Sequence, residues 1–266
     1  MIAVLGDVML DKWEEYTSTR LNPEDRDSKV TLRADRRYLA CAGGALNVKG
    51  NLEALGCPTV MVSTTHEISI KHRIVVDGRV VVRIDDDATP TPPFLNTLAG
   101  YEHAVVVDYG KGAIDQAILD NVLASALDLL VLDLKPTAHR WLFDYQGPVR
   151  ARRIVCKANE SETFELVRSV RDWRAMYRGT VQPALLVMTR GASGAWAQFD
   201  GLDHLMFPGY GVPNPRSVCG AGDAFTAALV HGVLEHGLTL DCVREAVYRT
   251  GRLVREGQRT LCFHGR

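Results

Sequence analysis

Short apolar runs broken by small polar stretches set the rhythm of this chain. Ile2–Leu5 predicts a buried strand that ends at Gly6-Asp7, and a second polar break follows at Asp11. From Ala104 onward strand-like and helix-like patterns alternate: Ala104–Val107, a helix near Ile114–Ala126, Leu129–Leu134, Ile154–Lys157, a helix near Ser161–Tyr177, and Ala184–Met188. That alternation predicts βαβ units and a mainly parallel, doubly wound α/β sheet flanked by helices. Val60–Ser63 reads as another strand, Ala195–Phe199 as a short β segment, and Cys242–Val254 as a final amphipathic helix. Phe225, Ala228, Leu229, Gly232 and Val233 recur at helical spacing, so a helix runs from about Gly220 to His236, with Gly237 at its C-terminal cap.

Two stretches break this pattern. Trp13–Tyr38 is charged and has β-favouring residues at Lys29–Leu32, which marks an excursion from the main sheet. Lys71–Val76 and Arg79–Asp85 alternate around Asp77-Gly78, a two-residue hairpin signal, and can join that excursion in one small sheet. Between the two, Cys41–Asn47 opens a helix that runs to about Leu55 and closes at Gly56.

The stretch Ser217–Phe225 carries candidate chemistry. Gly220, Ala221 and Gly222 put no bulky side chain on the first turn of a helix, so their N–H groups face outward at the positive end of its dipole, where a phosphate can approach. Asp223 stands beside that anion. A second negative charge there opposes simple binding but serves a base that takes the proton of an attacking hydroxyl, as phosphoryl transfer requires. Taken alone, the stretch equally describes a tight turn with an Asp N-cap.

Composition narrows the partners. The 266 residues, 46% of them hydrophobic, suffice for a sizeable core, and a net charge of −1 gives no footprint for nucleic acid. A small-molecule partner is expected. The six cysteines form no C-x-x-C pair or Cys/His metal spacing, which predicts free thiols in a reducing compartment. The first residues lack a basic leader and are interrupted by Asp7, so neither a signal peptide nor a membrane span is expected, and a cytoplasmic protein is.

Several motifs fall in a family's order and spacing over nearly the whole chain. Gly43-Gly44-x-x-Asn47, Asn159-x-x-Glu162, Thr189-x-Gly191-x-x-Gly194 and Gly220-Ala221-Gly222-Asp223 together resemble the signatures of the ribokinase-like (PfkB) carbohydrate kinases. Within them, Gly6–Asp11, Arg20–Glu24 and Asp108–Gly112 are similar to the sugar kinases that act on heptose 7-phosphate. The resemblance implies one ribokinase-like kinase domain over residues 1–266 with a small β lid from about 13–38 and 71–85. It implies ATP as co-substrate and Mg²⁺. Asp223 is then the catalytic base and Gly220, Ala221 and Gly222 the anion hole. Asp11, Gly43, Gly44, Asn47 and Lys111 bind the sugar or sugar phosphate. Asn159, Thr189 and Gly191 line the nucleotide, and Glu162 holds the metal through water. Asn159 and Glu162 also fit a helix capping box, Asp11 an ordinary turn, and Asn47 a cap or packing role. Lys111 reads as a phosphate ligand or a solvated lysine. Arg33, Arg36 and Arg37 read first as charged lid surface and second as a sugar-phosphate clamp, and Lys135 reads the same way.

The chain departs from the family pattern twice. Ser217 and Cys219 stand where an acidic residue and Thr are usual, so binding of a monovalent cation does not carry over. Only Glu67–Ile70 lies between His66 and Lys71, where a further βα unit is usual, so the sheet is expected to be trimmed by one unit. Alternatives are a kinase for another sugar or a nucleoside, such as fructose or ribose, and an inactive sugar- or nucleotide-binding module. A homodimer through the lid is a further expectation.

Overall fold

The parallel strands are apolar on both faces, as strands covered by helices on two sides must be. In the computed structural model, residues 1–20, 31–64, 68–87, 94–95, 98–167, 170–177, 179–200 and 204–257 are described. Leu21–Glu24 and Lys29-Val30 lie outside the described residues, as do the side chains of Arg33, Arg36 and Arg37.

The chain runs β1 (Ile2–Gly6), β2 (Val8–Arg20), β3 (Thr31–Gly44), α1 (Ala45–Ala54), β4 (Thr59–Met61), β5 (Ser63–Thr64), β6 (Ser69–Val76), β7 (Arg79–Asp86), β8 (Phe94–Leu95) and β9 (His103–Val107). It continues through α2 (Gln116–Leu123), β10 (Leu129–Asp133), α3 (Pro136–Phe143), β11 (Arg153–Asn159), α4 (Glu160–Leu166), α5 (Val170–Met176), β12 (Leu185–Thr189), β13 (Ala195–Phe199), β14 (Leu205–Phe207), α6 (Ala221–His236) and α7 (Leu240–Glu256). The main sheet has the order β14-β13-β12-β11-β10-β9-β1-β4, parallel from β12 to β4 and antiparallel at β13 and β14. Its outermost strand beyond β1 is β4, in keeping with the short connection before Lys71.

Alternate residues of each strand serve opposite cores. Ala104, Val106, Leu130 and Leu132 face a layer that includes Leu119, Leu142 and Trp173 from α2, α3 and α5. Val105, Val107, Leu129 and Val131 face the other layer, built with Val48 and Leu52 of α1, Leu229 and Val233 of α6, and Val243 of α7. Burying each such side chain contributes about 1.5–3 kcal/mol, which outweighs the roughly 1 kcal/mol a missing N-cap costs α6. That helix has no side-chain cap, and its open first turn survives because its flank is anchored. No helix among the described residues is long and apolar enough to cross a membrane.

The second sheet has the order β3-β2-β6-β7. Asp77 and Gly78 both have positive φ, 48° and 82°, as the expected hairpin turn requires. The excursion is longer than predicted: β2 starts at Val8, and its ladder with β3 runs on to Val8↔Gly44, so Cys41–Gly44 is strand and the helix starts only at Ala45. The helix expected over Ser161–Tyr177 is two helices, because Val167, a β-branched residue, is extended at φ −151°, ψ 164°. Three short elements, α3, β8 and β14, were not legible from pattern.

Asp7 ties the sheets to the loop after β9. With 2% of its surface exposed, its carboxylate accepts the backbone N–H groups of Tyr109 (2.6 Å), Lys111 (3.1 Å) and Ala113 (2.9 Å). Asp7→Asn places an amide donor among three donors and leaves at least one of them unpaired, at roughly 1–3 kcal/mol for each. The expected result is a lower midpoint of chemical denaturation and faster amide exchange in 109–113. Unchanged exchange there would contradict this role for Asp7.

Candidate active site

The parallel strands end in, or are followed by, Asp7, Asp108, Asp133, Asn159 and Thr189, on the edge where open α/β sheets bind ligands. Asn159 and Thr189 are register partners on β11 and β12, and Asp133 is in register with Lys157. The loop from Ser217 brings α6 onto this edge, with Gly220 in the left-handed region at φ 79°.

Asp223, in the first turn of α6, is 3% exposed. Its Oδ1 accepts the Tyr109 hydroxyl at 2.5 Å and its Oδ2 accepts the Asn47 amide of α1 at 2.8 Å. Burial pushes its pKa up to about 6; the Tyr109 and Asn47 hydrogen bonds pull it down, Asp133 raises it, and Lys157 lowers it. A carboxyl group so poised is ionised at neutral pH yet basic enough to take a proton from a hydroxyl.

Beneath the helix start, the Lys157 ammonium bonds both oxygens of Asp133 at 2.9 and 2.8 Å, and the Thr226 hydroxyl stands 2.6 Å from Asp133 Oδ2. Burial opposes the Lys157 charge, but Asp133 outweighs it, with Glu162 and Asp223 adding, and the pKa stays above the usual lysine value. A Cβ added at Gly222 would stand 3.6 Å from the Lys157 nitrogen. The uncapped turn of Gly220, Ala221 and the exposed Gly222 thus overlies a fixed positive charge, a setting suited to an anion.

Of the expected sugar ligands, Asn47 reaches Asp223, while Asp11, on β2, is tied to Arg73 at 2.6 Å with both side chains under a tenth exposed. Arg73 stacks over Trp13, 4.6 Å from its ring centre. Gly43 leaves room beside Asp11, since a Cβ there would lie 3.0 Å from its Oδ2, and the Cys219 thiol is 3.6 Å from the same oxygen. Gly44, at φ 58°, passes so close to Asp7 that a Cβ would meet its carbonyl oxygen at 2.4 Å. Lys111 points to Asp87 at 2.5 Å.

On the nucleotide side, Asn159 caps α4: its Oδ1 accepts the Glu162 N–H at 2.9 Å, and Glu162 Oε2 accepts the Asn159 N–H at 2.8 Å. The other Glu162 oxygen bonds Lys135. Burial alone would raise the Glu162 pKa, but these partners outweigh it and lower it. Thr189 closes β12, and Gly191, exposed at φ 53°, opens the short turn that follows. Among the described residues no three His, Cys, Asp or Glu side chains converge as a metal cage. With both Glu162 oxygens already bonded, to the Asn159 N–H and to Lys135, these residues fit a Mg²⁺ that keeps its own waters and meets Glu162 through them, not one ligated directly.

Sequence reasoning passed over Tyr109, Arg73, Asp133, Lys157 and Thr226. Only Tyr109 carried a signal, inside Asp108–Gly112. Lys135, read as surface, lies at the site's edge, 5.4 Å from the Tyr109 ring centre.

No family model matches the chain. In fold it is similar to ribokinase from Cryptococcus neoformans, solved with ADP (TM-score 0.62, 18% identity, 98% of this chain and 97% of that one). It is similar too to phosphofructokinase-2 from Escherichia coli, solved with substrates and products (TM-score 0.67, 16% identity, 99% and 95%). By sequence it is 26% identical to the D-beta-D-heptose 7-phosphate kinase of Bordetella bronchiseptica over 47% of this chain and 50% of that protein. The chain thus has the fold of these ribokinase and phosphofructokinase-2 structures, and about half of it is similar in sequence to a heptose 7-phosphate kinase. The chain spans about half the length of that heptose 7-phosphate kinase.

The Tyr109 hydroxyl stabilises the ionised form of Asp223, so Tyr109→Phe should move the Asp223 pKa above about 6. A pH titration of the carboxyl ¹³C shift, wild type against variant, reads this directly. An unchanged titration would remove Tyr109 from the control of Asp223.

Proposed function

We propose that the chain transfers the γ-phosphate of ATP to a hydroxyl of a sugar phosphate of the heptose 7-phosphate type. The observation that carries this proposal is Asp223, desolvated and held by Tyr109 and Asn47 at the uncapped start of α6. In the proposed step the substrate hydroxyl gives its proton to Asp223 as its oxygen bonds to the γ-phosphorus, and the bond to ADP breaks. The N–H groups of Gly220 and Gly222 would face the transferring phosphate, whereas that of Ala221, expected with them, donates to the Val218 carbonyl at 3.1 Å; Lys157 beneath the turn would supply charge that needs no rearrangement. Asp11, Gly43, Gly44 and Asn47 would hold the sugar; its own phosphate needs a cation that these residues do not supply. Asn159, Thr189 and Gly191 would line ATP, and Glu162, with Asn159, would hold Mg²⁺, whose chemistry is to neutralise phosphate charge. The small sheet would close as a lid, excluding water from the phosphate. The similarity to a heptose 7-phosphate kinase supports the substrate class.

The test is ADP formation from MgATP across a panel of heptose 7-phosphate, fructose 6-phosphate, fructose, ribose and a nucleoside. The highest kcat/KM is expected with heptose 7-phosphate. Faster turnover of a neutral sugar or nucleoside would replace the substrate class, and binding of nucleotide and sugar without turnover of any would make the chain a binding module.

A further inference from the structure

Three cations crowd one face of the small sheet. Lys71 and Arg73 are two residues apart on β6, so they share a face, and Arg83 of β7 lies directly opposite Arg73 in the antiparallel ladder. Like charges in opposed positions destabilise a sheet unless something neutralises them. Two of the three are neutralised internally: Arg73 by Asp11 at 2.6 Å, and Arg83 by both oxygens of Asp85 at 2.7 and 2.6 Å. Lys71 is in register with Asp11 on one side and Asp85 on the other, yet no carboxylate among the described residues pairs with its ammonium. It rests over the Tyr109 ring, 4.7 Å from the centre, and the Tyr109 hydroxyl bonds Asp223. The other lysines nearby are occupied, Lys111 by Asp87 and Lys135 by Glu162.

Burial, and after it the Arg83 charge, hold the Lys71 pKa below its ordinary value, with Asp11, Asp85 and Asp223 offsetting only part. A half-buried ammonium beside a second cation is costly while the face is empty and is stabilised when an anion arrives. Arg83, whose side chain is 48% exposed, can turn part of its planar fork from Asp85 to a phosphate oxygen.

Resting on the sugar-kinase reading above, we propose that Lys71 and Arg83 form a phosphate-binding subsite on the inner face of the lid. It takes the phosphate that a sugar substrate already carries and selects phosphorylated over neutral sugars. The lysine that the motif offered for this task, Lys111, instead braces the loop against Asp87.

The experiment is calorimetric titration of wild type, Lys71→Met, Lys71→Arg and Arg83→Met with sedoheptulose 7-phosphate, sedoheptulose and MgATP, with circular dichroism to confirm folding. Loss of a charge-assisted bond should raise the Kd for sedoheptulose 7-phosphate roughly tenfold to a hundredfold in Lys71→Met. Lys71→Arg should recover most of the affinity, and neither sedoheptulose nor MgATP binding should change by more than about twofold. Sedoheptulose 7-phosphate binding that is absent in wild type or equal in Lys71→Met overturns the subsite. A parallel loss of MgATP affinity also overturns it, because the cations then serve the nucleotide. Binding is read without turnover, so a chain that binds as expected but never consumes ATP refutes the kinase reading and leaves the subsite standing.

Discussion

A carboxylate taken out of water must be given donors, and much of the candidate site follows from meeting that need at Asp223. One donor comes from Asn47 on α1 and one from Tyr109 in the loop after β9. Each is placed by Asp7, whose carbonyl oxygen accepts the N–H of Ala45 at the start of α1 and whose carboxylate holds the Tyr109 N–H. The close pass of Gly44 over Asp7 lets both happen together. Lys157 and Asp133 then set the charge beneath the same helix turn, and they do so as a bonded pair, so neither floods the site with unbalanced field.

Holding Asp223 this way has a cost in stability, and its sign is fixed by the direction of the shift. The folded pKa is raised from 3.8 to about 6, so the native state binds the proton more tightly than the unfolded chain. The resulting stability is complete below pH 4 and is lost as pH rises through about 6. At neutral pH the loss is on the order of 3 kcal/mol, comparable to removing one core side chain. Capping does not account for the arrangement, because the N-cap of α6 is Gly220 and no side chain caps the helix.

The fold was legible wherever periodicity was strong. The alternation after Ala104, the Asp77-Gly78 hairpin and the helix after Gly220 all reflect local rules, as does the N-terminal position of Asp223. Less was legible where one long-range register decides. Arg73 meets Asp11 because β6 lies parallel beside β2, and Asp133, Lys157 and Thr226 meet because two neighbouring strands end under a helix that arrives from far along the chain. No spacing in the sequence encodes those encounters. The early start of β2 escaped notice because Gly6-Asp7 looks like the end of an element, whereas the chain turns there only to enter the second sheet. Lys111, read from its motif as a phosphate ligand or a solvated lysine, pairs with Asp87, a contact that no spacing in the sequence encodes.

The central claim is that Asp223 accepts the proton from the attacking hydroxyl, and the most direct measurement is transfer of labelled γ-phosphate from ATP by Asp223→Asn under single-turnover conditions. Asn keeps the size of the side chain, and MgATP affinity measured on the same protein shows whether the phosphate cradle survives. Loss of a general base predicts a transfer rate lower by roughly 10²–10⁴-fold with MgATP affinity nearly unchanged. A folded Asp223→Asn protein that transfers phosphate at the wild-type rate would contradict it.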